Sequence, residues 1–265
     1  MSFEFHKNRE VYFNQQFENA ENYIVPFVNK IFFKENNVLI LEIGCGEGGI
    51  LKAFLKKGCI VTGIDNSGNK IEKANEFFSN EIKQGRANFI CKDIYDINVD
   101  KELNSKFDLI VLKDTLEHIH NQGKLLEYIK VFLKPEGRIF LAFPPWQMPF
   151  GGHQQMCDSK FVSLLPYIHL LPNFLYVSIF RFFGENESKI KALLEVKETG
   201  ISIERFEKII FQLRYKIEKR LFYFINPNYK IKFNLKPRKL FSIISRIPYF
   251  RNFLTTTCYY LMKIK

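Results

Sequence analysis

Five short apolar runs punctuate the first 145 residues, at 38–43, 60–64, 87–91, 107–112 and 138–143, and each reads as a strand. The first, Val38-Leu-Ile-Leu-Glu-Ile43, stays apolar until Glu42, the mark of a strand covered on both faces. Between the runs, apolar residues take helical spacing at 48–57, 69–79, briefly near 100, and at 121–133; Ile50, Leu51, Phe54 and Leu55 carry the first of these. Gly58 and Gly137 are expected to stop helices or form turns. Strands alternating with helices over short connections require a mostly parallel sheet with helices on both faces, so the predicted class is α/β, Rossmann-like and doubly wound. A helix at 202–213 and strands at 215–225 and 255–265 bring the expected sheet to seven strands.

Two segments lie outside this alternation. Residues 1–36 are expected to be helical, with Phe17, Ile24, Phe27, Val28 and Ile31 on one face and Pro26 marking a kink. About 55 residues separate the strand at 138–143 from the helix at 202–213, far more than a connection needs. Their middle, from Leu164 to Phe183, is apolar but interrupted by Pro166, His169, Pro172, Asn173 and Arg181, and is barely long enough for a membrane span. It reads as a helical lid or interfacial helix pair, with a helical subdomain on the core as the plainer alternative. The expected organisation is a helical segment at 1–36, a nucleotide-binding core at 37–146, a lid insertion at 147–200 and a basic sheet-completing part at 201–265.

Composition changes this picture in two ways. A chain of 265 residues with 46% hydrophobic residues and 29 Phe can bury one large core. Cys45, Cys59, Cys91, Cys157 and Cys258 show no paired spacing, and the first ten residues are polar and charged, so a reducing cytoplasmic setting without a secretory leader is expected, and no metal site. Charge is uneven: residues 201–265 hold 15 Lys and Arg against three Glu, whereas the remainder is close to neutral. Phe222, Tyr223, Phe224, Tyr229, Phe233, Phe241, Tyr249, Phe250 and Phe253 are interleaved with these cations, which suits an anionic partner such as phospholipid, lipid pyrophosphate or RNA, or simply a solvated basic surface.

Candidate chemistry sits where the first strand ends. Gly44, Gly46, Gly48 and Gly49 make a tight turn before a helix, the setting for close backbone approach to a nucleotide or nucleoside. Gly44, Gly46 and Gly49 also fit the loose G-x-G-x-x-G pattern of dinucleotide folds. Three carboxylates pull away from that assignment. Glu42 suits a ligand with an ammonium group, Asp65 at the end of the second strand suits ribose hydroxyls, and Asp93 after the third suits an adenine edge.

Glu42-Ile-Gly-Cys-Gly-Glu-Gly48 resembles the E/D-x-G-x-G-x-G signature of class I S-adenosylmethionine-dependent methyltransferases. The resemblance continues in order through Val61-Thr-Gly-Ile-Asp65-Asn66-Ser67, Lys92-Asp93-Ile94, Phe107-Asp-Leu-Ile-Val-Leu112 with Leu116-Glu-His118, and Leu133-Lys-Pro-Glu-Gly-Arg-Ile-Phe140. It covers residues 37–145 and implies S-adenosyl-L-methionine as cofactor, an antiparallel last strand, and an N-terminal segment over the cofactor, with Tyr12, Phe13, Gln15 and Gln16 in reach. It further implies that Gly44, Gly46 and Gly48 shape the turn, Glu42 holds the amino-acid end, Asp65 meets the ribose, and Asp93 with Ile94 meets the adenine, with Asn66 also among the cofactor-binding residues. Lys113 lies on the same edge of the sheet.

For a hydroxyl acceptor a base is needed, and His153, flanked by Gly151-Gly152 and free to swing towards a ligand, is the first candidate; His118 is the second. His169 is expected to serve the lid, and Trp146 to wall a sugar or an aromatic ring. The expected function is methyl transfer to a small or lipid-linked acceptor, at oxygen. The layout is similar to that of quinone-biosynthesis O-methyltransferases. Alternatives are an RNA methyltransferase using the basic segment, a dinucleotide-dependent oxidoreductase, and a cofactor-binding protein without turnover. Nucleic acid is the less favoured partner because no RNA-binding module is recognisable; peripheral contact with the anionic inner membrane face is the further expectation.

Overall fold

The structure, a computed structural model, describes residues 9–32, 37–103 and 105–265. Its strands are β1 (Leu39–Ile43), β2 (Ile60–Asp65), β3 (Ala87–Cys91), β4 (Phe107–Lys113), β5 (Leu133–Phe143), β6 (Tyr215–Ile225), β7 (Arg238–Lys239) and β8 (Thr257–Ile264). They form one sheet in the order β3-β2-β1-β4-β5-β8-β6-β7. β1 to β5 are parallel, and β8 runs antiparallel between β5 and β6. The sheet therefore has eight strands rather than seven. The extra one, β7, is a two-residue edge pairing of Lys239 with Tyr223, too short and too basic to stand out as an apolar run.

Both faces of the central strands are buried, which is why these strands read as unbroken apolar runs. Ile110, Leu112, Ile139, Leu141 and Tyr260 pack under the helices Gln122–Tyr128 and Ile203–Gln212. The alternate positions Leu109, Val111, Phe140, Tyr259 and Leu261 pack under Gly49–Leu55 and the N-terminal helices. β5 begins at Leu133, earlier than expected, and its register against β4 shifts between Phe107 and Leu109. Gly137 lies inside that irregular start, where a Cβ would come within 2.8 Å of the Leu133 side chain.

The N-terminal segment is helical from Arg9 to Asn19 and again over Val25–Phe32. The kink expected at Pro26 is a widened turn over Ala20–Ile24, in which the Val25 N–H reaches back to the Ala20 carbonyl. Proline lacks an N–H, and its ring crowds the carbonyl four residues earlier, so the helix opens one turn before it. Residues 1–8 and 33–36 of that expected segment, and the side chain of Ile31, lie outside the described residues.

The insertion has a small core of its own, in which Cys157, Val162, Ile168, Tyr176, Phe180, Ile190 and Leu193 pack together. Its two ends meet at a neck, where the Trp146 amide donates to the Ile201 carbonyl at 2.8 Å. Trp146 lies edge-on to His169 at 4.6 Å, and a Cβ on Gly200 would meet its indole at 2.6 Å. The indole is thus committed to closing the neck instead of walling an acceptor. Gly151 and Gly152 are required by the same packing: a Cβ would lie 2.1 Å from the Trp146 carbonyl and 2.3 Å from His169 Cβ, respectively. They leave no room for the swing expected of His153, whose amide is fixed to the Phe150 carbonyl at 3.1 Å.

His169 is wholly buried, with Nε2 donating to the Trp146 carbonyl at 2.8 Å and Nδ1 without a partner. Burial lowers its pKa to about 4, against the opposing pull of that hydrogen bond. The folded imidazole stays neutral while the unfolded one takes a proton below about pH 6.5, so stability falls as pH drops from about 6.5 to 4. This single group should remove about 1.4 kcal/mol per pH unit in that window. Urea unfolding across pH 4 to 7 should therefore show a shallower slope in His169→Gln; an unchanged slope would disprove this account of His169.

Candidate functional site

The site grows from the carboxyl ends of β1, β2 and β4, where a parallel sheet opens a crevice. Glu42 sits opposite Gly63 of β2 and Val111 of β4, almost fully buried, and its Oε2 has no hydrogen-bond partner. Burial pushes its carboxyl pKa well up, Lys113 draws it down and Asp65 adds to the rise. Directly after β1, Gly44 and Gly48 take φ of +74° and +84°. A Cβ at Gly44 would lie 2.7 Å from Thr115 Oγ1, and one at Gly48 would strike the Phe78 and Phe89 rings. A Cβ at Gly49 would lie 2.5 Å from the Phe13 carbonyl, because the helix Arg9–Asn19 lies straight across the turn. Only glycine permits that crossing.

Asp65 holds the turn in shape. Its carboxylate accepts from the Gly46 amide and the Ser67 amide, both at 2.9 Å, so the residue expected at a ribose is also the latch between turn and second strand. Asp93 is exposed and caps the short turn after β3 by accepting from the Tyr95 amide at 2.9 Å. Ile94 is committed to the core and Asn66 is exposed. None of these three lines either of the two cavities at the site; they stand along the same sheet edge, beyond them.

The smaller cavity, about 120 Å³, is bounded by Glu42, the glycine turn, Lys113 and the N-terminal helix. The larger, about 780 Å³, opens beside it between the N-terminal helix, the loop after β4, the insertion and the short helix Asn228–Phe233. Tyr12 and Gln16 line both, Phe13 lines the smaller, and Gln15 lines neither. Asp114 lines both as well. It follows β4 with φ of +52°, is ion-paired to Lys113, and its charge bears on Tyr12, His118, His153, Tyr229 and Lys232.

His153 and His118, the two candidate bases, meet edge-on at 5.1 Å on the wall of the larger cavity. Burial lowers the His153 pKa to about 4, with His118 adding and Asp114 opposing; burial lowers His118 too. Both are neutral near pH 7 and can accept a proton. Ligand atoms of Glu117, His118 and His153 also lie within 4.8 Å of one another, a carboxylate and two imidazoles in reach of one cation, where the sequence suggested no metal.

Lys70, Asp114, Glu195 and Lys232 are among the wall residues that the sequence did not single out. Asp114 had a signal, since it directly follows Lys113 on the marked edge. Lys232 had none, because one lysine in a basic stretch looks like its neighbours.

Comparison with known proteins agrees with this geometry. Residues 16–163, more than half of the chain, match the model of a family described as "Methyltransferase domain". A ubiquinone biosynthesis O-methyltransferase of Coxiella burnetii is 32% identical over 103 residues, 39% of this chain and 42% of that protein. The enzyme of that name from Haemophilus ducreyi is 30% identical over 124 residues, 46% of this chain and 50% of that one. The chain thus spans about half or less of the relatives' length. Among solved structures, the plantazolicin methyltransferase with S-adenosylhomocysteine superposes at a TM-score of 0.57 and 20% identity, covering 98% of this chain and 88% of that one. A Synechocystis PCC 6803 magnesium protoporphyrin IX methyltransferase, also with S-adenosylhomocysteine, gives 0.55 at 12% identity over 97% and 88%. At such identities these structures speak for the fold alone. The matched family model, with β1 running into the glycine turn and an antiparallel strand set beside β5, places the chain in the class I S-adenosylmethionine-dependent methyltransferase family.

Proposed function

We propose that the chain transfers a methyl group from S-adenosylmethionine to a hydroxyl of a small or lipid-linked acceptor held in the larger cavity. The observation that carries this is the buried, unpartnered Glu42 Oε2 facing the smaller cavity, which suits the ammonium of the cofactor's amino-acid end. The glycine turn, closed to any Cβ at Gly44 and Gly48, suits backbone approach to the same ligand. Asp65 keeps lone pairs for ribose hydroxyls beside its two amide contacts, with Asn66 next to it and Asp93 and Ile94 at the adenine end of the same edge. Two relatives named O-methyltransferases, one of them matched at 32% identity, favour oxygen as the acceptor atom.

S-adenosylmethionine supplies an electrophilic methyl group on a sulfonium, released by in-line displacement with the bonding pair left on sulfur. The chain's part is to hold the acceptor oxygen on that line, which can contribute ~7 to 11 kcal/mol. Neutral His153 takes the acceptor's proton, with His118 against its ring. Calorimetric titration with S-adenosylhomocysteine should give micromolar binding, weakened about tenfold or more in Glu42→Gln and in Asp65→Ala, with no binding of NAD. Full affinity in both variants would sink the cofactor assignment. His153→Ala should lower turnover about 100-fold or more while cofactor affinity holds, and unchanged turnover would refute its role as base.

The lipid-linked form of the acceptor draws support from exposed side chains. Leu164, Phe174 and Phe182 on the insertion are 71%, 70% and 84% exposed, and Phe241 and Ile243 near the C-terminus 71% and 77%. The two segments touch where the Tyr167 hydroxyl donates to the Phe253 carbonyl at 3.3 Å, and Lys236, Arg238, Lys239 and Arg246 lie close in sequence to the second. Among the described residues no helix is long and apolar enough to cross a membrane, so the contact proposed is peripheral, on an anionic surface. Co-sedimentation should occur with vesicles containing anionic phospholipid and fall sharply with zwitterionic ones; equal behaviour with both would remove the electrostatic attraction.

A further inference from the structure

We propose that Lys232 is the specificity-determining residue of the larger cavity and that the acceptor it selects carries a carboxylate. This rests on the reading of that cavity as the acceptor site. Lys232 lies near the end of the helix Asn228–Phe233, which packs against the N-terminal helix and turns one face to the cavity through Asn228, Tyr229 and Lys232. Several covered lysines of this chain have partners: Lys113 pairs with Asp114, Lys134 with Asp108, Lys189 with Asp158 and Glu185, and Lys197 donates to the Leu171 carbonyl. Half-buried Lys232 makes no hydrogen bond or ion pair among the described residues. Burial pulls its pKa below the usual lysine range; the Asp114 charge opposes this and Lys113 reinforces it. A half-buried ammonium with open donors, set in the wall of a cavity, is stabilised by whatever anion enters.

The rest of the wall limits which anion that can be. Asp114, Glu117 and Glu195 line the same cavity, against the two ammonium groups of Lys70, which is exposed, and Lys232; these carboxyl groups would repel a phosphate dianion more than the single charge of a carboxylate. Asn226 and Asn228 stand nearby on the same wall with neutral amides. His153 lines the same cavity within the field of the Lys232 charge, so an acceptor bound through its acid group at Lys232 would present a different part of itself to the base.

The test uses the full chain loaded with S-adenosylhomocysteine, and two probes of the same shape, 3,4-dihydroxybenzoate and 3,4-dihydroxybenzamide, titrated by calorimetry. The carboxylate should bind about tenfold tighter or more than the amide. That preference should vanish in Lys232→Met, which keeps the apolar stem, and persist in Lys232→Arg, which keeps the charge. Equal affinity for both probes, binding of neither, or a preference that survives Lys232→Met would each overturn the proposal. S-adenosylhomocysteine affinity, measured first on each variant, separates this from the cofactor reading: loss of that binding in the unaltered protein defeats the proposed function, whereas normal binding without a probe preference defeats only the role of Lys232. Phenyl phosphate as a third probe should bind no better than the amide, and tight phosphate binding would overturn the choice of a carboxylate.

Discussion

Glu42 ends a strand covered on both faces, and burying a carboxylate there costs several kcal/mol unless its oxygens find partners. Lys113, at the end of the neighbouring strand, meets part of that cost, but its ammonium is shared with Asp114. The residual demand at Glu42 Oε2 orders the elements around it. The glycine turn must pass close by, Asp65 must fix that turn, and the N-terminal helix must cross Gly49 to close the pocket. A sheet built to cover its strands completely thus leaves an unmet polar group at Glu42, placed where a cationic ligand would enter.

Much of this was legible in the residues because strands buried on both faces cannot hide. The runs around β1, β2 and β4, the helix Ile203–Gln212 and the strand Tyr215–Ile225 follow from apolar periodicity alone. The glycine turn was legible for the same reason, since four glycines after a buried strand have few other uses. What stayed hidden depends on side chains meeting across the chain. Asp114, a polar residue at positive φ, looks ordinary in sequence, yet Tyr12, His153 and Lys232, with all of β1 to β6 between the first and the last, come together within its field. The edge strand Arg238–Lys239 was equally invisible, because it exists only through pairing with β6.

The glycines of the insertion carry a different lesson from those of the turn. Gly151 and Gly152 flank a histidine at the active edge, and in sequence that suggests mobility. In the structure they are there because Trp146 and His169 press against them, and His153 is held by the tightness of its surroundings. The same residue type thus marks an approach surface for a ligand at Gly44 and a packing contact at Gly151, and only the neighbours distinguish the two.

The neck between Trp146 and Ile201 has a consequence for how such a protein diversifies. Chain that leaves the sheet and returns at a hydrogen-bonded neck is a closed loop, and doubling the length of such a loop costs only about 0.6 kcal/mol. With the Thr199 contacts to Glu117 and Gln122 kept beside the neck, the rest of the insertion could be lengthened, trimmed or exchanged without moving β5 or β6 out of register. The neck is in this sense a grafting point: selection can rebuild the wall that meets the acceptor while the donor half of the chemistry is inherited intact.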